Sequence, residues 1–401
     1  MRVTHLSLLD FRNYSTAEVE FKPGANLIIG RNGQGKTNLV EAIAYFASLS
    51  SHRVTGESAL IRAGSDTAVA RMRIHARERD VLLEVQLNRG SPNRAQVNRN
   101  GVQPRELTRW FSAVVFAPED LSIVRGDPAR RRSFLDEALL AHNPTLVSVL
   151  SDYDRVVRQR TSLLKSARAS GARRTLESTL ELWDEQLIEL GARIMFERRR
   201  LCDLLAVPVA RSYSALVEAD HRPVISMVES VYASSSGAGV SRETSTVDTD
   251  AKPDVEVGRG GDVSRETLRD AFRGALTKVR SQELDRAQTL IGPHRDDLLL
   301  ELNDLPVKGY ASHGESWTFA LSLRLGLAEL LRHELPSGDP VIILDDVFAE
   351  LDARRRDRLL ASVSSFEQVI VTAAVAEDVP QGPQWHRIAI RAGAVVPDGE
   401  L

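Results

Sequence analysis

The spacing of apolar and polar positions changes several times along the chain, and each change predicts an element. VTHLSLLDF and STAEVEF alternate on either side of Asn13, which predicts two half-covered strands. ANLIIG is a continuous apolar run and predicts a buried strand. After Lys36 the period becomes helical, with Leu39, Val40, Ile43, Phe46 and Ala47 on one face. Strand spacing returns in TAVARMRIHA and DVLLEVQLNR, with RGSPN as a turn, and SAVVFAPEDL predicts a buried strand that stops at Pro118. From about residue 127 to 228 the pattern is mostly helical. DPARRRSFLDEALLAHN opens with Asp127 as N-cap and Pro128 in the first turn. The long apolar pattern from Thr175 to Val209 lacks sustained heptads, so short helices are expected, with a break near Gly171.

Residues 233–265 carry almost no large apolar side chain and predict a disordered insertion or loop. VSRET occurs there twice, at Val240–Thr244 and Val263–Thr267, a local duplication rather than a structural repeat. A helix (LRDAFRGALTKVRSQELDRA) and the stretch TLIGPHRDDLLLEL follow. GESWTFALSLRLGLAELLRHEL then predicts a strong helix, and PVIILDDVF and EQVIVTAA predict buried, parallel-type strands. The strand–helix alternation at both ends predicts an α/β fold with a mainly helical lobe inserted. The expected boundaries are 1–125, 126–285 and 286–401, the first and last forming one body.

Composition narrows the chemistry only a little. At 401 residues, 42% hydrophobic and 27% charged, the chain reads as an ordinary globular protein with room for more than one core. A net charge of −3 confines any nucleic-acid surface to a local patch. Cys202, the single cysteine, excludes an internal disulfide and suits a reducing cytoplasm. The N-terminus has no apolar stretch of signal-peptide length before Asp10 and Arg12, and no apolar run approaches the roughly 20 residues of a membrane helix, so a cytoplasmic location and no membrane partner are expected.

The strongest chemical signal is Gly30-Arg31-Asn32-Gly33-Gln34-Gly35-Lys36-Thr37. It fits G-x-x-x-x-G-K-[ST] at every fixed position, after a strand and before a helix. The glycines let successive amides turn toward phosphate oxygens, and the helix N-terminus adds partial positive charge. Lys36 is expected on the β- and γ-phosphates and the Thr37 hydroxyl on Mg²⁺, which makes ATP with Mg²⁺ the expected ligand. VIILDDVFAELD supplies the carboxylates. Asp345 is expected to hold the metal through water, and Asp346 to orient or deprotonate the attacking water. A long insert between loop and carboxylates is the layout of an ABC-type P-loop ATPase head. In such heads Ser312 and Gly314 of SHGES would form the signature that meets a γ-phosphate bound by a second copy, and AELD (Ala349–Asp352) would be the loop that crosses the dimer.

FRNY (Phe11–Tyr14), GRNGQGKTNLVEAI, VVFAPEDL, RRRSFLD, GPHRDD and LDDVFAELD together resemble the bacterial RecF family, ATPases related to SMC heads, and the resemblance runs almost end to end. It implies a slow, DNA-stimulated ATPase acting as a switch, and an ATP-dependent homodimer that clamps double-stranded and gapped DNA. It also implies partnership with RecO and RecR in loading RecA during repair and fork maintenance. Arg12 is then a candidate for nucleotide contact. Glu119 and Asp120 are candidates for metal sensing or lobe coupling, with helix capping as the alternative. His294 and Arg295 are expected near the nucleotide or the lobe junction. Arg130, Arg131 and Arg132 are candidate DNA contacts, with a solvated helix face as the alternative, and Arg198–Arg200 share that ambiguity. Two departures stand out. Glu315 occupies the position where the family signature usually has Gln, and is expected to turn away from the phosphate or weaken the sandwich. Thr372 stands where ABC-type heads often carry histidine. A transporter ATPase, a P-loop kinase and an ATP-binding head without hydrolysis are the competing readings.

Overall fold

The computed structural model describes residues 1–51, 53–54, 56–170, 177–233, 263–336, 338–381 and 384–397. The break expected near Gly171 and the first VSRET copy lie outside the described residues, as does almost all of the expected insertion at 233–265. The chain forms two compact units. One comprises Met1–Arg125, Val207–Pro223 and Ala311–Leu401, and the other Gly126–Ala206 and Val224–Tyr310.

The first unit holds two sheets with a helix between them. Its antiparallel sheet has the order β2-β1-β4-β5-β6-β7. The strands are β1 (Arg2–Phe11), β2 (Tyr14–Glu20), β4 (Thr67–Ala76), β5 (Arg79–Asn88), β6 (Arg94–Val97) and β7 (Asn100–Val102). Two of its hairpins turn through paired left-handed residues, Arg77-Glu78 and Asn98-Arg99, the tight turn that matches strand twist. The second sheet comprises β3 (Gly24–Ile29), β8 (Ala113–Phe116), β12 (Val341–Asp345), β13 (Gln368–Ala373), β14 (His386–Arg391) and β15 (Ala394–Val396). Its order is β15-β14-β3-β13-β12-β8, parallel except for the edge hairpin β14–β15. Every residue of β12 and β13 is buried, as their continuous apolar pattern requires.

Helix α1 (Lys36–Ser48) lies in a core shared with both sheets, which is why Leu39, Val40, Ala42, Ile43 and Phe46 are fully enclosed. The short α2 (Leu121–Arg125) packs on the long α9 (His313–Glu334), and α10 (Ala353–Val363) follows β12. Gly326 of α9 lies against the Val209 backbone, so a Cβ there would come within 2.9 Å of its nitrogen.

The second unit contains α3 (Pro128–His142), α4 (Val147–Ser170), most of α5 (Glu177–Leu216), α6 (Ser230–Ala233), α7 (Arg265–Arg286) and α8 (Val307–Tyr310). A small sheet, β11-β10-β9, joins β9 (Val224–Val228), β10 (Asp297–Leu302) and β11 (Leu305–Pro306). Two expectations change here. The helices are not all short, because α5 runs for 40 residues, about 60 Å at 1.5 Å per residue. The boundary expected at residue 285 falls instead after Tyr310, because β10 pairs with β9 of this unit, while Val207–Pro223 belong to the other. Arg160 is fully buried and ties three helices together. Its Nε donates to Asp184 Oδ1 at 2.7 Å and its Nη1 to Thr289 Oγ1 at 3.0 Å, and it also pairs with the buried Glu283.

GPHRDD lies in this second unit, where His294 and Arg295 bond to Tyr153, Thr289 and Gln288. Tyr153 donates its hydroxyl to His294 Nδ1 (2.8 Å), which leaves Nε2 to donate to Thr289 O (3.2 Å). Burial pushes the imidazole down to about 4, so the ring is neutral. Asp296 Oδ1 accepts from Ser230 N (2.9 Å) and Oγ (2.8 Å), and burial pushes this carboxyl up to about 7. Cys202 is likewise buried, its thiol pushed up to about 12, which makes it unreactive. No described helix is long and apolar enough to cross a membrane.

The neutral His294 gives the fold a signed pH dependence. Between the unfolded value of 6.5 and the folded value of about 4, the unfolded chain binds more protons. This residue's contribution is therefore present above pH 6.5 and is lost as pH falls toward 4. Urea titrations at pH 7, 5.5 and 4.5 should show a shallower loss of stability for His294→Asn than for the wild type over that window.

Candidate nucleotide-binding site

The loop Gly30–Gly35 joins β3 to α1 and is held in shape from two sides. Gly35 is the N-cap of α1 with φ 113°, a conformation that glycine tolerates, and Gly33 has φ 81°. A Cβ on Gly35 would lie 2.7 Å from Asn13 Nδ2 and 2.9 Å from the Tyr14 hydroxyl. Those residues brace the loop, since Tyr14 Oη donates to Gly35 O (3.0 Å) and Asn13 Nδ2 to Gln34 O (3.2 Å). On the other side, the two-residue turn Ala392-Gly393 between β14 and β15 closes on Gln34. Gly393 N donates to Gln34 O (3.1 Å), and Ala392 N to the Gln34 side-chain oxygen. Gly30 passes so close to Ile390 O that no side chain fits there.

Lys36 is buried, with only long contacts from Nζ to Arg31 O (3.4 Å) and Asn32 Oδ1 (3.5 Å). Arg31, Asn32 and Gly33 are exposed at the rim. Thr37 donates its hydroxyl to Asp345 Oδ1 at 3.1 Å across 308 positions of sequence. Thr372 lies on β13 between β3 and β12, in register with both Ile28 and Asp345. Its hydroxyl donates to Asp345 Oδ1 (2.7 Å) and accepts from Asp346 N (2.9 Å). Asp346 is left-handed (φ 53°) and half-buried. Burial raises its carboxyl above the usual range, and the Lys36 charge opposes the shift. Thr37 Oγ1 is a hard oxygen that fits Mg²⁺, which takes one or two protein oxygens and completes its shell with phosphate and water, and Asp345 Oδ1 beside it is placed to accept from such a water. Among the described residues no group of three or more His, Cys, Asp or Glu is set to hold a metal without such help.

Arg12 is not turned to the loop. Its Nε donates to Glu41 Oε2 (2.8 Å), its Nη2 to Glu41 Oε1 (2.6 Å) and its Nη1 to Ala59 O (3.0 Å), which supplies the counter-charge that a fully buried Glu41 needs. A groove beside α1 is lined by Arg12, Asn13, Asn38, Arg53 and Arg89.

Ser312 is the N-cap of α9. Its hydroxyl accepts from Glu315 N (3.2 Å), and Glu315 Oε2 accepts from Ser312 N (2.8 Å). Glu315 thus folds back onto its own helix end, and these bonds hold its carboxyl below the usual range. Gly314 carries the Arg355 guanidinium, and a Cβ there would lie 2.6 Å from Nη2. Asp352 of AELD caps α10 by accepting from Arg355 N (2.9 Å) and pairs with its Nη1 (3.2 Å). Asp120 follows the capping alternative. It accepts from Ala117 N (3.0 Å) and from Arg324 Nη2 of α9 (2.7 Å), while Glu119 is exposed.

The arginine triplet of the second unit departs from the expected DNA surface. Arg131 is buried and bidentate to Asp297 (2.6 and 2.9 Å), and Arg132 donates to Asp296 O (2.9 Å), so only Arg130 is exposed. Apolar residues at the core-facing positions of α3 turn the middle of the triplet inward. Arg198 and Arg199 are likewise spent on Asp136 and Glu229, and only Arg200 is exposed.

The profile of the RecF/RecN/SMC N-terminal domain matches residues 2–395. A DNA replication and repair protein RecF from Leifsonia xyli subsp. xyli is 54% identical over 99% of both chains. The chain belongs to the RecF family. The RecF of Clavibacter sepedonicus is 50% identical over 99% of this chain and 95% of its own, and that of Streptomyces avermitilis 44% over 98% and 99%. A solved structure of the recombination mediator RecF with ATPrS, in the RecFOR pathway, superposes with TM-score 0.83 at 27% identity, covering 98% of this chain and 97% of that one. An SMC head bound to the C-terminal winged-helix domain of ScpA shares the fold at TM-score 0.52 and 13% identity, covering 98% and 96%. The fold is therefore the RecF and SMC head fold that the sequence resemblance implies.

Sequence reasoning missed Arg355 and the Ala392-Gly393 turn, and it marked Thr372 only as a departure at the usual histidine position, not as the residue that holds Asp345. Only FRNY gave a signal, and it did not say that Asn13 and Tyr14 brace the loop. Arg12→Ala should lower thermal stability in the absence of any nucleotide, by about 3 kcal/mol, because it removes the bidentate partner of the buried Glu41 and leaves it only the Ser51 hydroxyl and the more distant Arg53 at 3.9 Å. Unchanged melting would mean that Arg12 is not needed to hold Glu41.

Proposed function

We propose that the chain is an ATP-dependent DNA-binding ATPase of DNA repair and replication, in which ATP with Mg²⁺ joins two copies on duplex DNA at gaps and junctions. The observation that carries this reading is the meeting of Thr37 and Asp345 at 3.1 Å beneath a glycine-lined helix N-terminus. Bound ATP–Mg²⁺ supplies an electrophilic γ-phosphorus. The amides of Gly30–Thr37 and the start of α1 bind the phosphates, and Lys36 places a point charge against them. Thr37 would hold the metal directly and Asp345 through water, while Thr372 fixes Asp345 and the backbone of Asp346. Asp346 accepts the proton of the attacking water, a role that its raised carboxyl suits.

Ser312 and Gly314 form the half-site for the nucleotide of the second copy. Glu315, tied to the Ser312 amide, leaves that helix end facing outward. Hydrolysis is slow and resets the clamp. RecO and RecR are the partners, RecA loading on gapped DNA is the outcome, and the site of action is the cytoplasm. The reading draws its support from the loop geometry, the family and the ATP-series RecF neighbours. A head that binds ATP without hydrolysing it is the second reading, favoured by Asp346 standing where related ATPases often have Glu.

Sedimentation and duplex-binding measurements with ATP, ADP and no nucleotide test the proposal. Wild type should dimerise and grip duplex only with ATP, and Lys36→Ala should do neither. Asp346→Asn should still bind ATP and dimerise but hydrolyse at least about 100-fold more slowly. Unchanged turnover removes Asp346 from the role of base, and no turnover in wild type favours the second reading.

A further inference from the structure

The helical unit carries a basic groove to which the nucleotide chemistry gives no task. Lys165 and Arg168 of α4 and Arg286 of α7 line it with Ala169, Ala287 and Gln288. All three cations are exposed, and none is hydrogen-bonded or ion-paired among the described residues. Arg295 of GPHRDD extends the rim, since its Nη2 donates to Gln288 Oε1 at 3.4 Å. Many other arginines of this unit have partners: Arg131 with Asp297, Arg160 with Asp184 and Glu283, Arg198 with Asp136, Arg199 with Glu229, and Arg273 with Glu185.

Helix-end electrostatics accounts for part of the cluster. Arg168 and Arg286 lie in the last turns of α4 and α7, where a cation offsets the negative helix end. Lys165 lies outside the last turn, and that effect fades within one turn. Three like charges around one groove repel each other. In a chain of net charge −3, such a patch is a local exception that suits an anionic ligand. The groove is shallow, and its donors are long, exposed side chains rather than buried groups shaped around one small anion. That favours a repeated, solvent-facing anion, the phosphodiester backbone.

We propose that this face of the helical unit contacts the phosphate backbone of duplex DNA, through Lys165, Arg168 and Arg286 with Arg295 at the rim. The proposal rests on the DNA-binding reading above and takes the place of the Arg130–Arg132 surface. The contacts carry charge and no base readout, so they add affinity without sequence preference.

The test is anisotropy of a labelled duplex across a salt series, with ATP, for wild type and the triple variant K165A/R168A/R286A. Each neutralised phosphate contributes about 0.9 to the slope of log affinity against log salt. The triple variant should bind at least tenfold more weakly at low salt, with a slope shallower by about 2–3. Its ATP-driven dimerisation and DNA-free hydrolysis should match wild type, and Arg295→Ala alone should lower the slope by about 1 or less. A wild-type slope in the triple variant overturns the surface and leaves the clamp reading standing. Failure of wild type to bind duplex removes both. An unchanged DNA slope with lost binding to an acidic protein partner also overturns it, and makes the groove a protein dock.

Discussion

The structure depends on one cross-strand arrangement, the placing of β13 between β3 and β12. That order sets Thr372 beside both the strand that feeds the phosphate loop and the strand that ends in Asp345. A carboxylate as buried as Asp345 needs donors, and it accepts the hydroxyls of Thr37 and Thr372. The parallel sheet sets the two ends of the site to within a hydrogen bond. It can do so because its central strands are apolar on both faces and must be enclosed.

Around that centre the backbone of the loop is constrained more than it is decorated. Asn13 and Tyr14 enter from the first hairpin, and Ala392 and Gly393 from the last. Both contacts engage main-chain or amide groups of Gln34 and Gly35. The glycines are therefore required partly by neighbours that leave no room for a Cβ, and not only by phosphate. At the signature the same logic applies. Arg355 occupies the space above Gly314, and Glu315 spends its charge on the Ser312 amide. The departure from Gln at this position is thus absorbed locally as a helix cap.

The second unit solves a different problem. Its helices are rich in arginine, and the buried part of that charge is neutralised inside the unit by matched carboxylates, as in the Arg160–Asp184–Glu283 set. Removing one partner from such a set leaves a buried charge, so these pairs fix which helices meet. Lys165, Arg168 and Arg286 of the α4–α7 groove have no such carboxylate among the described residues and converge on one exposed surface.

The sequence alone determined the elements with strong local period, the phosphate loop and the Asp345-Asp346 pair. It also carried the family resemblance, since each of these is written within a few neighbouring positions. It did not reveal that RRRSFLD turns two of its arginines inward. A triplet reads as a solvated face until the core-facing side of α3 is known. Nor did it reveal the place of GPHRDD, because β10 declares its unit only by pairing with β9. Arg355 and the Ala392-Gly393 turn carry no local signal, and Thr372 showed only as a departure from the usual histidine. Tertiary structure alone decided their roles, because sheet order and backbone packing bring together atoms that the chain holds far apart, 358 positions in the case of Ala392 and Gln34.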